Sequence, residues 1–371
     1  MTDTTPPPPA PQPHGRRVAL VLQGGGALGS YQAGVYEALA AAGCLPDWVA
    51  GISIGAINAA LIAGNPPERR GDALRAFWEQ VSAPTALWPE LPVPGWAQAV
   101  RQGALMSTLV FGQPGFFRPA PQVGSTTSYY DTSGLKGTLE RLCDFDRINA
   151  RTTRLSVGAV NVRTGNFAYF DNAQRRIVPE HIMASGALPP GFPPVEIDGE
   201  QYWDGGLVSN TPLQYLLDNT PRQPTLAFQV DLFSARGPVP TNLEEVEERR
   251  KDIQYSSRTR MGVDHFRQAH AVRRHVGRLL DRLPPELRAD PVVRFLERQA
   301  CQVQMDVVNL IYRPTEPQGA TKDFEFSRPT MLARWDQGRS DAAASLAAAP
   351  WREAVPPQEG ARSFDVLGPR Q

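Results

Sequence analysis

Val18-Ala19-Leu20-Val21-Leu22-Gln23-Gly24-Gly25-Gly26-Ala27-Leu28-Gly29 is the stretch from which the fold can be read. Five consecutive apolar residues form a run too short for a helix, which reads as a strand buried on both faces. The glycines end it, a helix follows over 31–42, and Gly43 stops that helix. The same grammar then repeats: a strand over 48–52, a turn at Ser53, a helix over 54–63 and a further helix over 69–81. Strands and helices alternating at this spacing predict a three-layer α/β/α fold around a mainly parallel central sheet.

Outward from this core the chain is less regular. Residues 1–15 are rich in proline and polar residues and read as a disordered leader. Residues 16–232 form the main domain. Within it, 83–132 interrupts the alternation with Pro and Gly but carries Trp88, Trp96, Leu105, Met106, Leu109, Phe111, Phe116 and Phe117, as a cap or lipid-contact insertion would. Ordinary packing under a long loop is the structural alternative. A helix is expected over 135–142, and strands over 155–162, 167–170 and 225–230. Residues 233–350 read as a helical, Arg-rich extension with one strand at 303–312, and 351–371 as a disordered tail.

Composition excludes several classes. The 371 residues are 41% hydrophobic and 20% charged, with a formal net charge of zero, so no global field draws the protein to nucleic acid. Cys44, Cys143 and Cys301 are odd in number and far apart, a pattern that makes neither a disulfide framework nor a metal site and suits a reducing compartment. With no signal-peptide core and no long apolar run, the expectation is a cytoplasmic protein, at most peripheral at a membrane.

Three motifs carry chemistry. Gly51-Ile52-Ser53-Ile54-Gly55 is a G-x-S-x-G between a strand and a helix. A serine nucleophile needs such a tight turn to expose its hydroxyl, and the following helix aims its N-terminus at the developing charge. Chance supplies the pattern in about one chain in eight of this length, so its placement matters more than its letters. Gly24-Gly25-Gly26 exposes a row of backbone N–H groups that can hold an oxyanion. Gly24, Gly26 and Gly29 also spell G-x-G-x-x-G, but a dinucleotide site wants an acid at the end of the second strand. The nearest acid, Asp47, precedes that strand. The third motif is Asp204-Gly205-Gly206. Alone it is a common turn; beside a serine and an oxyanion loop it is a candidate base.

Five histidines compete with Asp204 for that role. His14 lies in the leader, and His181 follows Val178-Pro179-Glu180 in a structural setting. His265, His270 and His275 recur every five residues along a helical stretch, so they share no face for a triad or a metal. A Ser53–Asp204 dyad is the better reading.

Together with Ala184-Ser185-Gly186-Ala187-Leu188-Pro189 and Ser209-Asn210-Thr211-Pro212, these three motifs resemble the patatin-like phospholipases over about 17–231. The remainder resembles the C-terminal extension of some bacterial members. The resemblance implies that Ser53 attacks an ester carbonyl, Asp204 takes its proton, and the amides of Gly24, Gly25 and Gly26 hold the oxyanion. It implies a lipid or other acyl-ester substrate and no metal or organic cofactor, and it leaves the oligomeric state open. Where many relatives carry Arg or Lys, this chain has Leu28, which loosens the link to a phospholipid headgroup. An esterase on neutral lipids or polyester oligomers, and a non-catalytic nucleotide- or lipid-binding module, are the rival readings.

One helical stretch suits a membrane surface. Between Arg249 and Arg282 ten Lys or Arg face three Asp, a net of +7. On a helical wheel Phe266, Ala269, Val272, Val276, Leu279 and Leu280 share one side, and Arg267, Arg274, Arg278 and Arg282 another. This suits transient contact with an anionic bilayer, or equally a domain helix with one solvated face.

Overall fold

Two apolar runs sit side by side at the centre of one sheet: β1 (Arg17–Leu22) pairs in parallel with β2 (Trp48–Gly51). The helix between them is α1 (Ser30–Ala41); α2 (Ile54–Ala63) and α3 (Arg70–Val81) follow β2. The computed structural model describes residues 15–82, 96–121, 127–219, 221–256, 259–315, 317–354 and 360–368. Most of the expected leader, and Trp88, lie outside the described residues.

After the alternation pauses come α4 (Trp96–Phe111), the short hairpin β3 (Arg118–Pro119) and β4 (Tyr130–Asp131), α5 (Ser133–Leu142) and α6 (Phe145–Asn149). Then follow β5 (Arg154–Asn161), β6 (Phe167–Asp171), α7 (Pro179–Ser185), β7 (Val195–Ile197) and β8 (Glu200–Asp204). The last part contains α8 (Leu213–Asp218), β9 (Thr225–Asp231), α9 (Leu243–Tyr255), α10 (Thr259–Leu280) and α11 (Pro291–Gln299). It closes with β10 (Met305–Ile311), α12 (Arg328–Ala348) and β11 (Ala361–Phe364).

The sheet runs β11-β10-β9-β1-β2-β5 with every neighbouring pair parallel. Antiparallel β6, β8 and β7 complete it beyond β5. The fold is therefore α/β with a mainly parallel sheet flanked by helices, and its central strands are apolar because both faces are covered.

The way β5 is shared decides where the chemistry sits. Ser156 and Val157 pair with both β2 and β6, while Ala159 and Val160 pair with both β8 and β6. Hence β2 and β8 lie along the same edge of β5, opposite β6, and run towards each other. β2 ends with Gly51 beside Val157, and β8 ends with Asp204 beside Ala159. Two strand ends 153 positions apart in sequence, Gly51 and Asp204, thus meet nose to nose at Gly158.

Two expectations need correction. The stretch 351–371 is not simply a tail: Trp351 is buried against Phe228, and β11 pairs along β10. The helical wheel of α10 is also rotated. Phe266, His270, Gly277 and Leu280 are buried, whereas Val272 is 63% and Leu279 59% exposed. The helix meets the sheet through Phe266, which joins the apolar cluster of Met305, Val307 and Ala361, while His270 lies 3.6 Å from Cys301 and Gly277 lies against Gln302.

The extension belongs to the same body as the rest. Gly34 of α1 and Gly338 of α12 let the two helices touch through their backbones. A Cβ on Gly34 would stand 1.9 Å from the Trp335 carbonyl oxygen, and one on Gly338 would stand 2.1 Å from that of Tyr31. Tyr31 donates to Asp341 across the same contact at 3.0 Å.

Candidate active site

Ser53 sits between β2 and α2 with φ 55° and ψ −125°, a left-handed backbone that costs a non-glycine residue energy. The neighbouring glycines make this turn sterically feasible. A Cβ on Gly51 would lie 2.2 Å from the Gly55 carbonyl oxygen, and one on Gly55 would lie 2.4 Å from that of Leu22. The Ser53 N–H is held at 3.1 Å by both the hydroxyl and the carbonyl oxygen of Ser185, and the Ser185 hydroxyl in turn donates to Gly158 O at 2.6 Å. The turn is thereby anchored to β5, and the first turn of α2 opens directly behind the serine.

Asp204 ends β8 with 1% of its surface exposed. Its carboxylate lines the same cleft as Ser53, and the Gly206 N–H donates to Oδ1 at 2.7 Å. Burial pushes its pKa up to about 7, although the Ser53 side chain and the Gly206 N–H oppose the rise. A carboxylate poised near neutrality beside a serine side chain has the chemistry of a general base.

The glycine loop lies on the other side of Ser53. The Gly24 N–H donates to Asn210 O at 3.2 Å, and Asn210 Nδ2 donates back to Gly24 O at 3.0 Å. Gly24 is therefore clamped, with its own N–H committed. A Cβ there would lie 3.0 Å from that of Ser53. Among the described residues the N–H groups of Gly25 and Gly26 have no acceptor. Gly26 needs its φ of 54°, and a Cβ there would strike the Asp323 carbonyl oxygen at 2.3 Å. Gly29 serves packing: its missing Cβ makes room for Ile54.

Sequence reasoning missed the frame behind this loop. Buried Gln23 accepts from the N–H groups of Leu232 and Phe233 and donates to Thr211 and to the Tyr255 carbonyl. Asn210 donates to that same carbonyl at 2.9 Å. Tyr255, Asp323, Phe324 and Phe326, all from the extension, line the cleft above Ser53 together with Phe116, Phe117 and Phe192. The only sequence signal was Ser209-Asn210-Thr211-Pro212, which pointed to Asn210 but not to its partners.

The other candidates fall away from the cleft. His181 is buried in α7, where Nδ1 accepts the Val178 N–H at 3.0 Å and burial drives its pKa down to about 4. His270 is buried beside Cys301 and likewise pushed down to about 4, first by burial and then by Arg274 and Arg273. His275 is exposed and bonds within its own helix to Ala271 O. The His14 and His265 side chains are outside the described residues. Asp47 caps the far end of β1 by accepting the Val18 N–H at 2.8 Å, away from the loop a dinucleotide would use. Leu28 is fully buried and does not face the cleft. Among the described residues no His, Cys, Asp and Glu side chains gather as a metal site, and no helix is long and apolar enough to cross a membrane.

Comparison with known proteins gives the following. A family model described as patatin-like phospholipase matches residues 20–217, more than half of the chain, and a second, described as patatin phospholipase, matches 253–358. Patatin-like phospholipase domain-containing protein 7 of Rattus norvegicus, and that of Mus musculus, are each 28% identical over 205 residues. That region is 53% of this chain, which spans only 12% of the length of those relatives. Among solved structures, VipD from Legionella pneumophila is 15% identical with a TM-score of 0.39, over 91% of this chain and 67% of that one. Human GIVD cytosolic phospholipase A2 is 12% identical with a TM-score of 0.42, over 90% and 59%.

Proposed function

The chain belongs to the patatin-like phospholipase family, and from that premise we propose that it is a serine acyl hydrolase of lipid esters working through a Ser53–Asp204 dyad. The observation that supports this reading best is that Ser53 shares its cleft with the buried carboxylate of Asp204, whose pKa is pushed up to about 7 and is influenced by the serine side chain. Ser53 Oγ attacks the ester carbonyl while its proton passes to Asp204. The tetrahedral oxyanion is held by the N–H groups of Gly25 and Gly26, with Gly24 as the clamp that aims them. Collapse breaks the bond to the alcohol, which leaves with the proton from Asp204. Water then attacks the acyl-serine, giving its proton to Asp204, and the free acid departs as that proton returns to Ser53.

A fluorophosphonate probe tests the chemistry, because it labels a serine only when that serine is activated. We expect stoichiometric labelling of the wild type at Ser53, and none in a folded Ser53→Ala variant that also hydrolyses no ester. Labelling that survives Ser53→Ala would remove the nucleophile, and an unlabelled, inactive wild type would favour a binding module without chemistry.

One observation favours a second reading of the substrate. The charged side chains among the described residues lining the cleft are two carboxylates, Asp204 and Asp323. Asp323 is already paired with Lys251, so the described lining offers a phosphate no cation of its own, which supports esters of neutral lipids or polyester oligomers over phospholipids. Comparing kcat/KM on a monoacylglycerol and on an anionic lysophospholipid of the same chain separates the two.

A further inference from the structure

Phe116 and Phe117 border two hollows at once. On one side they line the cleft that holds Ser53, where Ile54, Ile57, Leu188 and Phe192 continue the apolar surface. On the other they line a second hollow, between the end of α4 and the start of α5, together with Ser107, Phe111 and Gly134. These two residues are the partition.

The partition is built to stay in place. Residues 112–117 form a tight loop in which Gln113 N–H donates to Phe117 O at 2.7 Å, and Gln113 O accepts from the N–H groups of Phe116 and Phe117. Gly112 and Gly115 take φ values of 76° and 66°, and a Cβ on Gly112 would strike Phe117 O at 2.1 Å. The Phe116 ring packs on Phe77 of the core, on Phe192 and on Phe326, with centroids 6.0–6.2 Å apart. Phe117 packs on Phe192 at 5.2 Å and on Tyr130 at 5.0 Å. Tilted and edge-on contacts of this kind hold aromatic rings in specific orientations.

We propose that Phe116 and Phe117 are the end wall of the acyl pocket and set an upper limit on the length of acyl chain that can be transferred to Ser53. This rests on the acyl-hydrolase reading above. The substrates are then esters of short and medium acyl chains. A long chain would have to pass the two rings into the hollow beside α4, and the packing of both rings opposes that. Removing one ring joins the two hollows and opens the path.

The test is the chain-length profile of kcat/KM on para-nitrophenyl butyrate, octanoate and palmitate. Wild type should fall by at least about tenfold from octanoate to palmitate, since methylenes that fit or do not fit a hydrophobic pocket are discriminated on this scale. Phe117→Ala should raise the palmitate-to-butyrate ratio about tenfold or more, and Phe117→Leu, which retains most of the packing, should raise it less. If the alanine variant does not fold, the leucine variant decides. A wild type equally fast on palmitate and butyrate, or folded variants with an unchanged ratio, overturns the wall. Ser53→Ala is measured alongside: activity retained there would sink the hydrolase reading itself, whatever the profile.

Discussion

Asp204 is asked to be buried and to be charged, and these demands oppose each other. Its carboxyl rises to about 7 because burial penalises the anion more than the Ser53 side chain and the Gly206 N–H favour it. If it is the base, kcat/KM should fall below about pH 7 as it protonates and level off above, with no loss traceable to a histidine. Asp204→Asn should lose activity by orders of magnitude, and glutamine at His181, His265, His270 or His275 should keep most of it. Stability carries the opposite sign. Between the unfolded value near 3.8 and the folded one near 7 the native state holds the extra proton, so this group makes the fold less stable as pH rises. Asp204→Asn should therefore melt higher than wild type at pH 8 and show less advantage at pH 4; equal advantages at both would contradict the shift. At this scale much of the site was legible. Ser53, Asp204 and the glycines stand in short motifs whose geometry needs those residue types. Gln23 and Asn210 were harder, because a buried amide is recognised only by the backbone groups it satisfies, and those come from Leu232, Phe233 and Tyr255.

Strand β2 leads into Ser53 and β8 ends on Asp204, and β5 brings these two residues of the proposed dyad together. Gly158 marks the junction: a Cβ there would lie 2.6 Å from Ile52 Cδ1 and 2.5 Å from the Phe167 ring, and its carbonyl holds Ser185. Gly158→Val should destabilise the protein by roughly 1–3 kcal/mol through overpacking. It should also lower kcat by forcing apart the strand ends that carry Ser53 and Asp204. Urea unfolding and turnover measured on the same samples check this, and a variant with wild-type values for both would refute it. Strands β1, β2, β5 and β9 were legible as apolar runs, and α1 to α3 by their spacing. The strand β8 was not. Its residues Glu200-Gln201-Tyr202-Trp203-Asp204 are mostly polar and precede an Asp-Gly, so locally they look like a turn; only pairing with β5 makes them a strand. For α10 the apolar count alone chose the wrong face, since it could not anticipate a buried His270 beside Cys301.

Across the whole molecule, the extension completes the cleft at Ser53 and the sheet. β9 has β1 on one side and β10 on the other, so its inner edge is covered by residues of the extension. Lys322 is nearly buried between Glu248 at 3.0 Å and Asp252 at 2.6 Å, in the loop that sets the Asp323 carbonyl against Gly26. Lys322→Met leaves those carboxylates without their cation and should cost about 3–5 kcal/mol. Turnover should drop as the glycine loop loses its backing, whereas a variant as stable and active as wild type would show the loop to be independent. The backbone contact of α1 with α12 also has a side that belongs to time. Tyr31 and Asp341 are 310 positions apart, and a ribosome adds about 5–20 residues per second. For a good part of a minute the growing chain displays the outer face of α1, and then the open edge of β9, with nothing to cover them. Ser53 and Asp204 are both synthesised long before α12, so the nascent protein carries both residues of the proposed dyad well before it can hold them in place.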